Sequence, residues 1–167
     1  YLDDLSHQQL EQPHGAPWDR RLHARLITNL VAQGARVVAM DIVFDEPSKD
    51  AVADALLADA VVAAGGKVVL AALIDESRAG VRRLEQPLSL LRDSADDNWG
   101  VANLRLDSDG VVRRPFHEDA EWRGLRSLSW RAAVQFRPTL ATADANRGVG
   151  ARLRYYGPAG TLASVSY

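Results

Sequence analysis

The chain has 167 residues, 47% of them hydrophobic and 25% charged, a balance typical of one globular domain with a real core. Its formal net charge is -2, and the densest basic groups, Arg82-Arg83 and Arg113-Arg114, are short, which argues against nucleic-acid binding. The chain contains no cysteine, which excludes disulfide bonds, thiolate metal sites and a cysteine nucleophile.

The first strong helix signal begins at Asp19, whose carboxylate can accept hydrogen bonds from the free N–H groups of a first helical turn. Apolar residues then recur at helical spacing as far as Val31, and Gly34 is placed to end the helix in the left-handed conformation. The polar residues 1–17 predict a loop with a turn of helix near residues 5–9.

Two apolar segments with a helix between them follow. Residues 37–44, interrupted only by Asp41, predict a strand buried on both faces. A second helix is predicted to start at Lys49 or Asp50, and residues 67–74 predict a second buried strand. Strand, helix and strand with tight connections form a βαβ crossover, in which the two strands are parallel.

The remainder of the chain predicts shorter elements. Residues 75–86 are charged and predict a loop, whereas an Asp-Gly turn at residues 107–110 between apolar segments predicts a β-hairpin. Ser127 is a candidate N-cap of a helix that Pro138 ends. The other expectations are a short helix at 87–91 and strands at 101–106, 111–117, 153–156 and 165–167. These elements predict an α/β fold with a central, mostly parallel sheet, flanking helices and an added β-hairpin.

An acidic cluster follows the first predicted strand: Asp41, Asp45, Glu46 and Asp50. Ligands bind at the carboxyl ends of strands in open α/β sheets, and carboxylates there are suited to hold Mg²⁺ for phosphoryl transfer or hydrolysis. The other interpretation is structural: Asp41 pairs with a basic residue or loop amides, while Asp45 and Asp50 cap turns. No phosphate-binding glycine loop and no nucleophile–base pair accompanies the cluster.

Arg20 lies in the first turn of the first strong helix, where a cation opposes the helix dipole. The residue is therefore expected to reach an anion, with Asp41, Asp4 or an anionic ligand as candidates; the other interpretation is an ordinary exposed arginine. The four histidines show no metal-ligand spacing, which favours structural or surface roles for them, and no metal site is expected.

The order of several motifs matches that of a known family. The motifs are Asp3-Asp4-Leu5-Ser6, Trp18-Asp19-Arg20, and the segments at 23–26, 34–44, 54–56, 100–103, 107–114 and 155–158. In this order the chain resembles the type-two CHASE domain, a sensory extracellular domain attached to bacterial cyclases, histidine kinases and serine/threonine kinases. The family has further strands at both ends, so the chain is expected to be a truncated piece.

The resemblance implies that residues 1–167 form one extracytoplasmic, periplasmic sensor domain without catalysis or a cofactor of its own, tethered to the membrane in the full-length protein. Its expected partner is an unknown small-molecule or protein signal, with a homodimer as one option and no nucleic acid. Asp4, Arg20 and Asp41 are carried over as a polar cluster at the carboxyl edge of the sheet, and Asp45 completes the candidate ligand-binding set. Two alternatives stay open: a Mg²⁺-dependent phosphoryl-transfer or hydrolase domain using Asp41, Asp45 and Asp50, and a purely structural or dimerising spacer.

Overall fold

The computed structural model describes residues 4–76, 80–104, 106–114, 124–142, 152–153, 157–158 and 161. Its helices are α1 (Asp4–Gln9), α2 (Arg20–Ala32), α3 (Ala51–Ala63), α4 (Ser89–Ser94) and α5 (Leu128–Phe136), followed by a 3-10 turn at Pro138–Thr142. Its strands are β1 (Val38–Val43), β2 (Val68–Glu76), β3 (Arg82–Glu85) and β4 (Trp99–Val101). Within these ranges, none of the helices combines the length and the hydropathy that crossing a membrane requires.

Strand β2 is the centre of a mixed sheet. It pairs in parallel with β1, where Val38 lies opposite Val68, and in parallel with β4, where Leu70 lies opposite Trp99. The far half of β2 pairs antiparallel with β3. The structure therefore confirms the α/β fold and the parallel βαβ unit that the sequence predicts.

The two parallel strands differ in burial. Val68 to Ala72 of β2 are all buried, as an apolar run covered on both faces should be. In β1, Val38 and Met40 are buried but Ala39 and Asp41 are exposed. The prediction of burial on both faces is thus confirmed for β2 and wrong for β1, because in the part of the chain that the structure describes Ala39 and Asp41 remain exposed on the second face of β1.

Helices α2 and α3 cover one face of the sheet, and local signals determine where they begin and end. The Asp19 carboxylate accepts a hydrogen bond from the Arg21 N–H at 2.9 Å, and Gly34 adopts a φ of +92° just beyond α2. Asp50 caps α3 by accepting from the N–H groups of Val52 and Ala53. The core on this side includes Ile27, Met40, Leu57, Val61, Leu70 and Leu91.

Helix α5 lies on the opposite face of the sheet. The Ser127 hydroxyl accepts a hydrogen bond from the Trp130 N–H at 3.1 Å, as expected for its N-cap, and Leu128 packs against Val69 and Ala71 of β2. The helix ends at Phe136, just before Pro138.

Gly100 allows the backbone at the start of α5 to lie directly on β4. A Cβ atom at position 100 would stand 2.7 Å from the carbonyl carbon of Ser127 and 2.8 Å from the Leu128 nitrogen. Because both neighbours are backbone atoms, we expect Gly100→Ala to lower the free energy of unfolding by about 2 kcal/mol or more, measured by urea denaturation.

The matched control for this variant is Gly110→Ala. Gly110 has a φ of +77° and open space at the Cβ position, so alanine there is strained only through the backbone, at a cost of about 1 kcal/mol. An equal or smaller loss in Gly100→Ala would contradict the steric argument.

The structure corrects the interpretation of residues 75–86 as a loop. Strand β2 continues to Glu76, and β3 returns antiparallel to it, so an added hairpin is formed by β2 and β3. Opposite charges face each other across this pair, with Arg83 opposite Asp75 and Arg82 opposite Glu76. The sequence interpretation failed because a charged segment was assumed to be a loop, whereas here the charged side chains pair across two strands.

The hairpin predicted around residues 107–110 is only a turn in the described residues. The Asp107 N–H donates to the Val111 carbonyl at 3.0 Å, but β4 ends at Val101 and the described residues 102–104 and 106–114 form no strand. Asn103 instead binds the β2 backbone, accepting from the Ile74 N–H at 2.7 Å and donating to its carbonyl at 2.8 Å. Residues 115–117, 154–156 and 165–167, which carried the other predicted strands, lie outside the described residues.

Candidate functional site

A cavity of about 650 Å³ opens where β1 ends and where α2 and α3 begin. We call it the β1 cavity. Its wall comes from the loop before α2, the first turn of α2, the end of β1, and the segment that leads into α3. The residues that line the cavity include Trp18, Arg20, Arg21, His23, Phe44, Asp45, Glu46, Lys49 and Asp50.

Arg20 holds the inner wall of the cavity together. Its side chain is buried, and Nη1 donates to Oδ1 of Asp54 at 2.8 Å. Nη2 donates to the carbonyl oxygen of Glu46, and the guanidinium lies 5.3 Å from the centre of the Phe44 ring. One cation thus links the start of α2, the segment after β1 and the first turn of α3.

Asp54 is the anion that compensates the buried charge of Arg20. Its second oxygen accepts a hydrogen bond from the Ser48 N–H at 3.0 Å. Burial opposes ionisation of this carboxyl, but the hydrogen bonding from Ser48 and the charge of Arg20 outweigh it and hold the pKa of Asp54 below its usual value. Asp54 is therefore ionised at neutral pH, and each of its carboxylate oxygens accepts a hydrogen bond, one from Arg20 and one from Ser48.

A second, exposed ion pair borders the cavity. Arg21 donates to Asp50 and also lies 3.4 Å from an oxygen of Asp19. The hydrogen bond from Arg21, followed by that from the Ala53 N–H, lowers the pKa of the Asp50 carboxyl. The same bond to Asp50 raises the pKa of Arg21. The carboxylates of Asp19 and Asp50 are also the N-caps of α2 and α3, so these charges stabilise the starts of the two helices.

Three charged residues that line the cavity have side chains without a partner among the described residues. Asp45, Glu46 and Lys49 are exposed, and among the described residues none of their side chains forms an ion pair or hydrogen bond. These side chains are therefore available to a ligand, whereas those of Arg20, Arg21 and Asp50 are already engaged.

His23 lies deep in the same wall, 2% exposed, with its ring edge-on to Phe44 at a centroid distance of 5.4 Å. Burial, followed by the nearby positive charge of Arg20, lowers the pKa of His23 to about 4, while Asp19 acts in the opposite direction. The imidazole is consequently neutral at physiological pH.

The loop before α2 completes the wall. Trp18 is buried, and its ring meets the His7 ring edge-on at 4.8 Å, while His7 stacks on His14 at 4.0 Å. These contacts attach α1 and the loop to the start of α2.

The four residues predicted to bind a ligand do not form one cluster. Arg20 and Asp45 line the β1 cavity. Asp4 is exposed at the start of α1 and Asp41 is exposed on β1, and neither belongs to the cavity wall. The expected anion for Arg20 exists, but it is Asp54 rather than Asp41 or Asp4. Asp41 misses the cavity because its side chain emerges on the sheet face opposite to α2 and α3.

The same placement bears on the Mg²⁺ hypothesis. Of its three carboxylates, Asp50 caps α3 and binds Arg21, Asp41 lies outside the cavity, and only Asp45 is uncommitted within it. Across the described residues, no three histidine, aspartate or glutamate side chains come close enough to hold a metal ion. The structure therefore does not assemble the acidic site which that hypothesis requires.

Sequence reasoning missed Asp54 and Ser48. A signal for Asp54 was present, because it shares a helix face with Leu57, Ala58 and Val61, all of which are buried. A carboxylate on the apolar face of a helix requires a buried partner. Ser48 gave no comparable signal, since the N–H that it donates to Asp54 is a group that every residue except proline carries.

Comparison with known proteins identifies the family. No curated protein and no solved structure matches the chain. The family model of the CHASE2 domain matches residues 2–167, which is essentially the whole chain and confirms the resemblance noted in the sequence. The chain therefore belongs to the CHASE2 family, whose members are extracellular sensory domains of signalling proteins.

Proposed function

We propose that this chain is the extracytoplasmic sensory domain of a bacterial membrane signalling protein, and that a small molecule binds in the β1 cavity. The cavity is the observation that carries the proposal. Its volume of about 650 Å³ lies within the range of small-molecule sites. Its position at the carboxyl end of a parallel strand is the one that ligands favour in open α/β sheets.

The uncommitted charges of the wall favour a ligand with a positive group. Among the described residues of the wall, Asp45 and Glu46 contribute two free carboxylates and Lys49 contributes one free ammonium. Trp18 and Phe44 contribute aromatic surface to the same wall. The ligand class that fits is a small amphipathic amine or zwitterion, whose ammonium group approaches the carboxylates and whose apolar part lies against the rings.

In the full-length protein, residues 1–167 are proposed to be part of one periplasmic domain that is tethered to the membrane. Its output would be a cytoplasmic adenylate or guanylate cyclase, histidine kinase or serine/threonine kinase. Ligand binding biases the domain between two arrangements, with a coupling free energy of about 1–3 kcal/mol. Arg20 is the structural link for this bias, because it joins α2, α3 and the segment after β1.

Thermal-shift screening tests the ligand assignment. We expect amines and zwitterions at saturating concentration to raise the melting temperature by about 5 °C or more, and simple anions to leave it unchanged. Stabilisation by anions alone would contradict the assigned ligand class. No stabilisation by any compound class would remove the small-molecule proposal.

Cavity variants test the location of the ligand. Ala16 is exposed and lines the cavity, so Ala16→Trp should fold normally and abolish the ligand-induced shift. Ala32→Trp, at the exposed far end of α2, is the matched control and should retain the shift. Asp45→Asn should weaken binding of a cationic ligand about tenfold, whereas Asp93→Asn, at an exposed position of α4, should not. Full binding in Ala16→Trp would place the ligand elsewhere.

A further inference from the structure

Helix α3 is apolar on its outer side as well as on the side that faces the sheet. Ala53, Leu57, Ala58 and Val61 are buried beneath it, as expected for a helix that packs on a sheet. On the outer side, Val52 is 61% exposed, Leu56 43% and Val62 60%. Apart from Asp59, the outer side of α3 is therefore apolar, and none of the described residues buries it. Exposed apolar surface of this kind marks a site of interaction.

A groove of about 540 Å³ runs beside this face, between α2 and α3. Leu56, Ala60 and Ala63 contribute the α3 side, and Ala24 and Thr28 contribute the α2 side. The small side chains make room for the side chains of another helix to enter between the two helices. We call the groove and the exposed apolar residues of α3 the α2–α3 face.

The charges on the α2–α3 face are self-complementary. Arg25 lines the groove from α2 and Asp59 lines it from α3, and both are exposed. Among the described residues, neither side chain forms an ion pair or a hydrogen bond within the chain. A two-fold contact brings each residue of one copy against the corresponding surface of the other, so Arg25 can meet Asp59 twice.

We propose that the α2–α3 face is a homodimer interface, in which α3 of each copy packs into the groove of the other and Arg25 pairs with Asp59 across the contact. The proposal does not rest on the β1 cavity. Of the residues that line the groove, only Arg21 also lines that cavity. Helix α3 has 13 residues and is about 20 Å long, so the contact is at the small end of stable interfaces and the dimer dissociates on dilution.

Sedimentation-equilibrium ultracentrifugation of the 167-residue chain over a range of concentrations tests the interface. We expect a concentration-dependent dimer, and at least a tenfold weaker association in Leu56→Lys, which places a charge in the centre of the contact. Leu104→Lys is the matched control, because Leu104 is 70% exposed and lies outside the α2–α3 face. This variant should associate as the unaltered chain does. A chain that stays monomeric, or a dimer that Leu56→Lys does not weaken, overturns the proposal.

Charge reversal provides a second, independent test. Arg25→Asp alone sets like charges against Asp59 of the other copy, and Asp59→Arg alone does the same against Arg25, so each should weaken the dimer. The double variant restores opposite charges and should recover association. Both side chains are exposed, so folding should be retained in all three variants, which circular dichroism checks. A double variant that is weaker than both single variants contradicts the pairing.

The absence of cysteine makes cross-linking of this interface direct. Leu56→Cys introduces the only thiol of the chain, and mild oxidation should convert most of the dimer to a disulfide-linked species. Leu104→Cys is the control and should cross-link only slowly, through random collisions. Equal cross-linking at both positions would overturn the assignment of this face.

Discussion

Replacing Arg20 with methionine is expected to lower the free energy of unfolding by about 3–5 kcal/mol, because the change leaves the Asp54 carboxylate buried without its counter-charge. The side chains of both residues are 9% exposed, so water cannot replace the lost ion pair. The guanidinium also satisfies the Glu46 carbonyl, and methionine cannot. Equilibrium denaturation by urea measures the loss, and the wall of the β1 cavity should become disordered with it.

Arg21→Met is the matched control for this prediction. Arg21 is the next residue in the same helical turn and also binds a carboxylate, but both members of its pair are more than 40% exposed. Exposed ion pairs contribute little to stability, so this variant should unfold almost as the unaltered chain does. Similar losses in the two variants would show that the Arg20–Asp54 pair has no special role.

A double variant separates the cost of an unpaired charge from that of the missing contact. When Asp54→Leu is combined with Arg20→Met, both charges of the pair are removed together, and most of the stability lost in Arg20→Met should return. If stability does return but the double variant shows no thermal shift with a compound that stabilises the unaltered chain, the pair contributes to the shape of the cavity more than to the stability of the fold. If it does not return, the loss in Arg20→Met arises from packing.

The sequence was most informative where the physical signal is local. Asp19 and Ser127 are predicted as helix N-caps because a cap acts within three residues of itself, and the structure confirms both. Asp50, one of the two predicted starts of the second helix, is the N-cap of α3. The parallel arrangement of β1 and β2 was predictable for a similar reason, since a βαβ connection with a helix allows almost no other geometry.

The polar contacts of the site were less predictable because their partners are far apart in the chain. The position of Arg20 at a helix start predicted that it needs an anion, but Asp54, its partner 34 residues later, could not be chosen without the packing of α2 on α3. Asp41 is a candidate site residue in the sequence because it interrupts an apolar run, yet Ala39 and Asp41 share a strand face on which both are exposed. Alternation in burial along β1 depends on what covers each face, which the sequence does not state.

Strand β3 shows a signal that was present but not used. An acidic pair, Asp75-Glu76, is followed by a basic pair, Arg82-Arg83, and the antiparallel register sets the two pairs opposite each other. Opposite charges at such spacing stabilise a hairpin whose side chains remain in water. Charge pattern rather than apolar alternation therefore identifies this edge of the sheet.

Acidification is expected to destabilise the chain through His23. The pKa of this histidine is about 4 in the folded chain, against 6.5 for a free side chain, because burial and the charge of Arg20 disfavour the imidazolium. Between these two values the unfolded chain binds a proton that the folded chain does not. The contribution is therefore fully present above pH 6.5 and is lost as the pH falls to about 4, with a total of about 3 kcal/mol.

Urea denaturation of the unaltered chain and of His23→Gln across this pH range measures the effect. The unaltered chain should lose stability steadily between pH 6.5 and pH 4, whereas His23→Gln, which has no group to protonate at this position, should show a much smaller slope. His14→Gln, at an exposed position, should retain the slope. The carboxyl of Asp54, whose pKa lies below its usual value, gives its own loss at lower pH, below the histidine range. A slope that persists unchanged in His23→Gln would assign the acid sensitivity to other groups and leave His23 as a packing residue of the cavity wall.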